Sequence, residues 1–487
     1  MIKHRNLFYI SNTYIVIMKT ISKDKWPEWL KKFVGKRKNI EIKERNGRYY
    51  IYEYKNIWDK EKKRPKKISR YLGVVEQEGI RKAYEVSLKG IYEYGHVKFV
   101  WHVLEKNGIL RVMRKKFPDF WDVLLVFAMN RLIDPRPIKS ICQWYEKTYL
   151  VKKIGKISPK RISRVLSVVG MSWKSQYEFF QELMKNGEKI IYDGSVIFSS
   201  SNENPLLERG YNKDQLPLTK ANIVLAFSYN RRIPVFFRLV PGSVHEITTL
   251  DILLEDLGKD TIVVLDKGFY SNSIPKRILD KGLSFIMPLR RNSKMINYKS
   301  KLKSFFVYRK RPIKYTAYRY GDFFVYLYED ISLKAEEEKT YLLMLSKGKK
   351  VEFKEHQAGK IALISNKNLH PKEIYEMWKA RDQIEKVFDV LQNMLDTDRP
   401  YVRKEETFRG YLFASFLALI AYYLILKILK SAEINDKMSV SDVLLELSKI
   451  YKVELGKKEV LSERSKRVRN LTQKLNIENI ITTNGWS

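Results

Sequence analysis

Residues 190–198 read IIYDGSVIF and residues 261–271 read TIVVLDKGFYS. In each, a run of β-branched and aromatic residues meets an aspartate, Asp193 in the first and Asp266 in the second. A carboxylate at the end of a buried strand is costly to desolvate unless something charged compensates it. Working outward, further short apolar runs lie at 221–228, 233–240 and 283–289 (LSFIMPL), and a short helix is expected over 272–281. The two middle runs are joined by YNRR, which makes them an antiparallel hairpin. Strands with interspersed helices indicate an α/β layer structure.

A third acidic residue, Glu385, lies in WKARDQIEKVFDVLQ, residues 378–392. The pattern predicts a helix over 371–394 that starts near Pro371. At 100° per residue, Trp378, Arg381, Glu385 and Gln392 fall on one face. Trp can stack on a base, Arg can clamp a phosphate through two hydrogen bonds, and Glu can ligate a metal. Each acidic residue also has an ordinary structural reading. Asp-Gly between apolar runs is a hairpin signal. Asp266 can cap a strand-to-helix turn. Arg381 and Glu385 have the i,i+4 spacing of a surface ion pair. Their joint occurrence in the order Asp, Asp, Glu favours a shared site, because divalent cations are hard ions that stabilise converging carboxylates.

The chain of 487 residues carries 93 Lys+Arg against 55 Asp+Glu, a formal net charge of +38. Such an excess points to a polyanionic partner, with a lysine-rich solvated surface as the alternative. With 23 Phe, 9 Trp and 31 Tyr, the chain has the apolar mass for well-packed domains, and its length predicts more than one. A single cysteine, Cys142, excludes an internal disulfide framework and a cysteine-based zinc cluster. The six histidines show no metal-ligand spacing, and an intracellular protein is expected. The uncharged stretch 411–426 is short of the roughly 20 residues that span a bilayer, so a buried core helix and no membrane association are expected. Residues 7–18, LFYISNTYIVIM, follow a basic start as a signal peptide would, yet Ser11, Asn12 and Thr13 break the run. Met18 is an alternative start.

Five regions emerge: an N-terminal segment and small β unit over 1–77, a helical DNA-binding region over 78–187, an α/β core over 188–293 and 353–430, a β-rich insertion over 294–352, and a basic helical region over 431–487. In the first, IEIKER and RYYIYEYK flank Asn46-Gly47, the strongest short hairpin signal. KKISRYLGVV offers a third strand after the loop DKEKKRPKK. In the second, Ser158 is a plausible N-cap and Pro159 a first helical residue of a helix ending at Gly170. Its Lys160, Arg161 and Arg164 line one face, after a helix with Trp144 and Tyr145, in the manner of a helix-turn-helix reader or of a basic solvent face. In the fourth, FFVYRK, KYTAYRY, FFVYLYE and KTYLLMLS read as aromatic-rich strands with no helix between them.

WKARDQIEKVFDVLQ resembles the Y-x2-R-x3-E-x6-K signature of DDE transposases from prokaryotic insertion sequences, with Trp378 at the Tyr position and Gln392 at the Lys position. LDKGFYS is similar to the D-R-G-F segment that holds their second aspartate, Lys267 replacing Arg. Further segments with this resemblance are ERGYNKDQLPLTKANIVLAF, PVFFRLVPGSVHEITTL and LDTDRPYVRKEETFRGYLFASFLAL, and the similarity runs from about 39 to 430. The resemblance implies a ribonuclease H-like core with a β insertion between the second Asp and the Glu. It implies Asp193, Asp266 and Glu385 as catalytic metal ligands for Mg²⁺, which Mn²⁺ can replace. It further implies contacts to DNA by Trp378, Arg381, Gln392 and Lys267, and a homodimer on double-stranded DNA made of terminal inverted repeats and target. The expected location is the nucleoid within the cytoplasm. Two rivals stay open: a non-catalytic DNA-binding protein derived from such an element, and a metal-dependent nuclease without strand transfer.

Overall fold

The computed structural model describes residues 19–34, 38–45, 47–59, 63–76, 79–82, 88–199, 204–208, 219–244, 250–251, 253–255, 257–269, 271, 273–395, 397, 402–456, 458–483 and 486. The signal-like stretch before Met18 lies outside them. The chain divides into two compact units, one of residues up to Lys89 with Glu454–Lys458, the other of Gly90–Val453 with Glu459–Ser487.

The first unit is an antiparallel sheet with the strand order Lys19–Ile21, Ile40–Arg45, Arg48–Asp59, Arg64–Glu76, Gly79–Lys82. The second and third strands turn at Gly47, whose φ of +73° is the left-handed conformation such a turn requires. Alternation along these strands turns Ile40, Ile42, Ile51 and Val75 inward, where helix Glu28–Val34 covers them with Leu30 and Val34. The expected loop DKEKKRPKK is shorter than read. Strand pairing resumes at Arg64, so Arg64–Lys67 form part of a ladder that runs from Asp59↔Arg64 to Tyr52↔Tyr71.

The second unit is built on a nine-stranded sheet. Its order is Ser304–Tyr308, Arg311–Tyr320, Phe323–Asp330, Lys360–Ser365, Ser284–Pro288, Ile262–Val264, Lys189–Ser199, Thr219–Ser228, Ile233–Pro241. The last three are antiparallel neighbours, as the YNRR hairpin requires. Ile262–Val264 is parallel to both of its neighbours. Thr219–Ser228 is buried along its whole length and accordingly reads as a near-continuous apolar run. The aromatic insertion extends this same sheet, since Phe323–Asp330 pairs with Lys360–Ser365.

One expectation there fails. KTYLLMLS is the second half of a helix, Ile331–Ser346. Its apolar residues suggested a strand, but the preceding KAEEEK supplies strong helix formers. Asp330 then caps the helix, accepting hydrogen bonds from the Ser332 and Leu333 amides at 3.0 and 3.1 Å. The 431–487 region is likewise not helical throughout, because Tyr451–Leu455 and Lys458–Leu461 are strands.

Helix Glu405–Ser431 is the one described helix long and apolar enough to cross a membrane, and 78% of its most apolar window is buried inside the protein. Helix Pro159–Met171 lies across it. A Cβ on Gly170 would run into the Glu406 carbonyl, and one on Gly410 into the Leu166 carbonyl. Ser167 and Thr407 hydroxyls meet beside this crossing at 2.6 Å. Phe180, from helix Trp173–Leu183, packs against Phe236, Phe413 and Phe416. The helices between 95 and 183 thus share one core with the sheet.

Candidate active site

Parallel pairing sets the segments that lead into the two aspartates side by side. Strand Ile262–Val264 is registered on the strand of Asp193 as Ile262↔Lys189, Val263↔Ile190 and Val264↔Ile191. Carried two residues past its last pair, Val264↔Ile191, that register would set Asp266 level with Asp193. Leu265 N donates to Ile286 O at 3.0 Å and holds the end of the strand in line. Asp193 is half-buried and accepts the Gly194 amide at 2.8 Å. Asp266 accepts the Lys267 amide at the start of a short turn, Lys267–Phe269, with the Phe269 ring buried against Tyr192.

Glu385 arrives on helix Asp382–Asp389, which buries Ile384, Val387 and Phe388 and packs on the Asp193 strand. Glu385 itself is exposed. Arg381, just before this helix, forms an ion pair with Asp266 and so ties the helix start to the second aspartate. Among the described residues, no three His, Cys, Asp or Glu side chains lie close enough together to hold a metal ion. The donor chemistry nevertheless fits a hard divalent cation, which takes carboxylate oxygens. The Arg381 guanidinium already supplies at Asp266 the compensating positive charge that such an ion would bring.

The single continuous helix expected over 371–394 is in fact three pieces. Pro371–Lys379 ends at Ala380, Asp382–Asp389 comes next, and Val390–Met394 is a π-turn. A π-turn adds a residue per turn and rotates the residues beyond it, so spacing at 100° no longer places Gln392. Its half-buried amide instead donates to Val196 O at 2.7 Å and Ser195 Oγ at 3.3 Å. In this structure the Gln392 side chain ties the helix to the Asp193 strand. Trp378 is half-buried against Tyr375, with ring centroids 5.9 Å apart. The Lys379 ammonium lies 4.8 Å from its ring, and its indole N–H is buried without a hydrogen-bond partner among the described residues.

Of the other basic residues singled out, Lys267, Lys160 and Arg164 are exposed, whereas Arg161 is committed to Asp122 at 2.6 Å. Ser158 caps that helix by accepting the Arg161 amide, and the helix runs to Met171. Trp144 and Tyr145 are buried in the core and present no reading surface. A group missed by sequence reasoning surrounds the Glu385 helix. The Lys430 ammonium is pushed below its ordinary pKa by burial, then by the neighbouring Arg232 and Lys386 cations. Arg232 also holds Gln383 at 2.7 Å. The doubled arginine of YNRR is the signal for this group in the sequence, where it reads only as a turn.

No curated protein matches the chain. A solved structure described as "Cryo-EM structure of piggyBac transposase synaptic complex with hairpin DNA (SNHP)" is similar at 13% identity, over 80% of this chain and 77% of that one. Its TM-score of 0.36 does not amount to a shared fold. Residues 190–421, just under half of the chain, match the family model of the transposase DDE domain, and this segment, which holds Asp193, Asp266 and Glu385, is similar to that family.

Proposed function

We propose that the protein is a DNA transposase of a prokaryotic insertion sequence, which cuts the element's ends and joins the freed 3′-hydroxyl to target DNA. The observation that carries this reading is the parallel register that levels Asp266 with Asp193 inside the segment similar to the transposase DDE domain. The sheet supports a ribonuclease H-like core, with three antiparallel strands from Lys189 to Pro241 followed by two strands parallel to the first. Asp193, Asp266 and Glu385 would hold Mg²⁺ or Mn²⁺, which when bound lowers the pKa of an attacking water or hydroxyl and stabilises the leaving oxygen.

The protein's own groups prepare the substrate. Arg232, Lys386 and Lys430 concentrate positive charge beside the Glu385 helix, where a phosphate backbone is attracted and its negative charge offsets the cost of holding Lys430 charged. Lys267, next to Asp266 and exposed, is free to reach a phosphate at the site. Arg381 keeps Asp266 neutralised until a cation or a phosphate draws one of the pair away. Synapsis of two ends calls for a homodimer, and the working location is the nucleoid.

A strand-transfer assay with labelled terminal-repeat duplex tests the reading. Mg²⁺-dependent cleavage followed by joining to a target plasmid is expected. Asp193→Ala, Asp266→Ala and Glu385→Ala should each lose cleavage while still binding duplex DNA. Cleavage without joining would make the protein a nuclease, and wild-type cleavage by any of the three variants would remove that residue from the site.

A further inference from the structure

The third and fourth strands of the first unit continue past their neighbours. Strand Ile40–Arg45 pairs with the third strand only as far as Glu53, and Gly79–Lys82 pairs with the fourth only over Gly73–Glu76. From Lys55 to Asp59 and from Arg64 to Ile68 the chain is a two-stranded ribbon. At about 3.3 Å per residue it projects roughly 16 Å. A ribbon of that kind, with no third strand beside it among the described residues, is marginal on its own in water.

Its two faces differ in chemistry. Cross-strand partners share a face, so Lys55↔Ile68, Ile57↔Lys66 and Asp59↔Arg64 form one and Tyr54↔Ser69, Asn56↔Lys67 and Trp58↔Pro65 form the other. On the first, Lys55, Lys66 and Arg64 are exposed around the exposed Ile57 and Ile68. On the second, Lys67 is committed, bonded to Glu41 at 2.7 Å and lying 4.4 Å from the Tyr54 ring. Beyond it Trp58 is 63% exposed, opposite Pro65 at the outer end. The ribbon therefore presents cations along one face and an apolar wedge near its tip.

We propose that this ribbon is a duplex-DNA arm, with Lys55, Arg64 and Lys66 on phosphates and Trp58 entering a groove. The proposal rests on the reading of the protein as one that acts on DNA. Charge complementarity selects the partner: three exposed cations face one way, with Asp59 the one acid among the described residues of this face from Lys55 to Ile68, and a polyanion satisfies them. Shape selects the duplex, since a major groove about 12 Å wide admits a two-stranded ribbon.

The test uses the full chain and a fluorescent duplex of arbitrary sequence, with chelator present so that binding is read apart from cleavage. Lys55→Gln, Arg64→Gln and Lys66→Gln combined should weaken binding at least tenfold in 0.1 M salt. The slope of log affinity against log salt should fall by about 0.9 for each phosphate no longer neutralised. Trp58→Ala should weaken binding with the slope unchanged, because an apolar contact releases no counterion. Wild-type affinity and slope in both variants would overturn the proposal, as would a preference for single strands over duplex. Should the triple variant unfold the first unit, Lys66→Cys with Cys142→Ser, mixed with a duplex bearing a tethered thiol, supplies the answer. A disulfide cross-link to DNA supports the arm and its absence overturns it. Adding Asp193→Ala separates the two readings: loss of cleavage leaves the ribbon effects unchanged if the arm is real.

Discussion

At the residue scale, the amide of Gln392 replaces the ammonium found at that place in the signature it resembles, and its surroundings explain the exchange. Its two donors go to Val196 O and Ser195 Oγ, three and two residues past Asp193. An ammonium in that half-buried position would have to shed water in exchange for two neutral acceptors, a net cost. Gln392→Lys is therefore expected to leave the affinity for cleaved ends and its salt slope unchanged, and to lower thermal stability. Gln392→Ala should cost about 1–2 kcal/mol by removing hydrogen bonds to acceptors that stay part-buried. Melting curves with duplex-binding titrations check both. A salt slope that rises by about 0.9 in the lysine variant would place residue 392 on the DNA after all.

At the element scale, the crossing of helix Pro159–Met171 over helix Glu405–Ser431 depends on two missing side chains. Gly170 and Gly410 each face a carbonyl of the opposing helix with no room for a methyl group. Alanine at either glycine favours the isolated helix by up to about 1 kcal/mol. Overpacking should exceed that gain, with a net loss of about 1–3 kcal/mol and a lower melting temperature. A stabilised Gly410→Ala variant would show that the helices can part freely. This crossing marks where legibility in the sequence ends. Local signals are readable: Gly47 in its turn, Ser158 at its cap, and the apolar stretch that becomes Glu405–Ser431. Asp193, Asp266 and Glu385 are also readable as candidates, because charged residues stand out against apolar runs. Features that depend on distant partners are not. The break at Ala380 and the π-turn at Val390–Met394 answer to packing on the Asp193 strand, which no local periodicity records. Arg161 has the spacing of a DNA reader, yet Asp122, 39 positions away, holds it. Helix Ile331–Ser346 escapes a local reading because its apolar half resembles the preceding strands and its capping residue lies a full turn before the helix formers.

At the scale of the whole molecule, the two units have separate cores of very different size. The smaller core is Trp26, Leu30, Val34, Ile40, Ile42, Ile51 and Val75, fringed by partly buried Ile21, Trp29, Tyr49, Leu72 and Ile80. A unit of this size buries a lower fraction of its apolar surface than a larger one and is correspondingly marginal. The larger core joins the sheet to the helices through residues from Tyr94 to Ile481. A chain with two such cores need not unfold in one step. Calorimetry of the free protein should therefore show two transitions, the smaller and cooler one belonging to the first unit. Ile51→Ala, which empties a fully buried position, should cost about 2–5 kcal/mol and lower only the cooler transition. Phe413→Ala, at the junction of Phe117, Phe179 and Phe180, should lower only the hotter one by a comparable free energy. Duplex DNA that engages the first unit should raise the cooler transition by mass action, in proportion to the logarithm of its concentration above Kd. A single transition that both substitutions shift together would mean that the two units fold as one cooperative body.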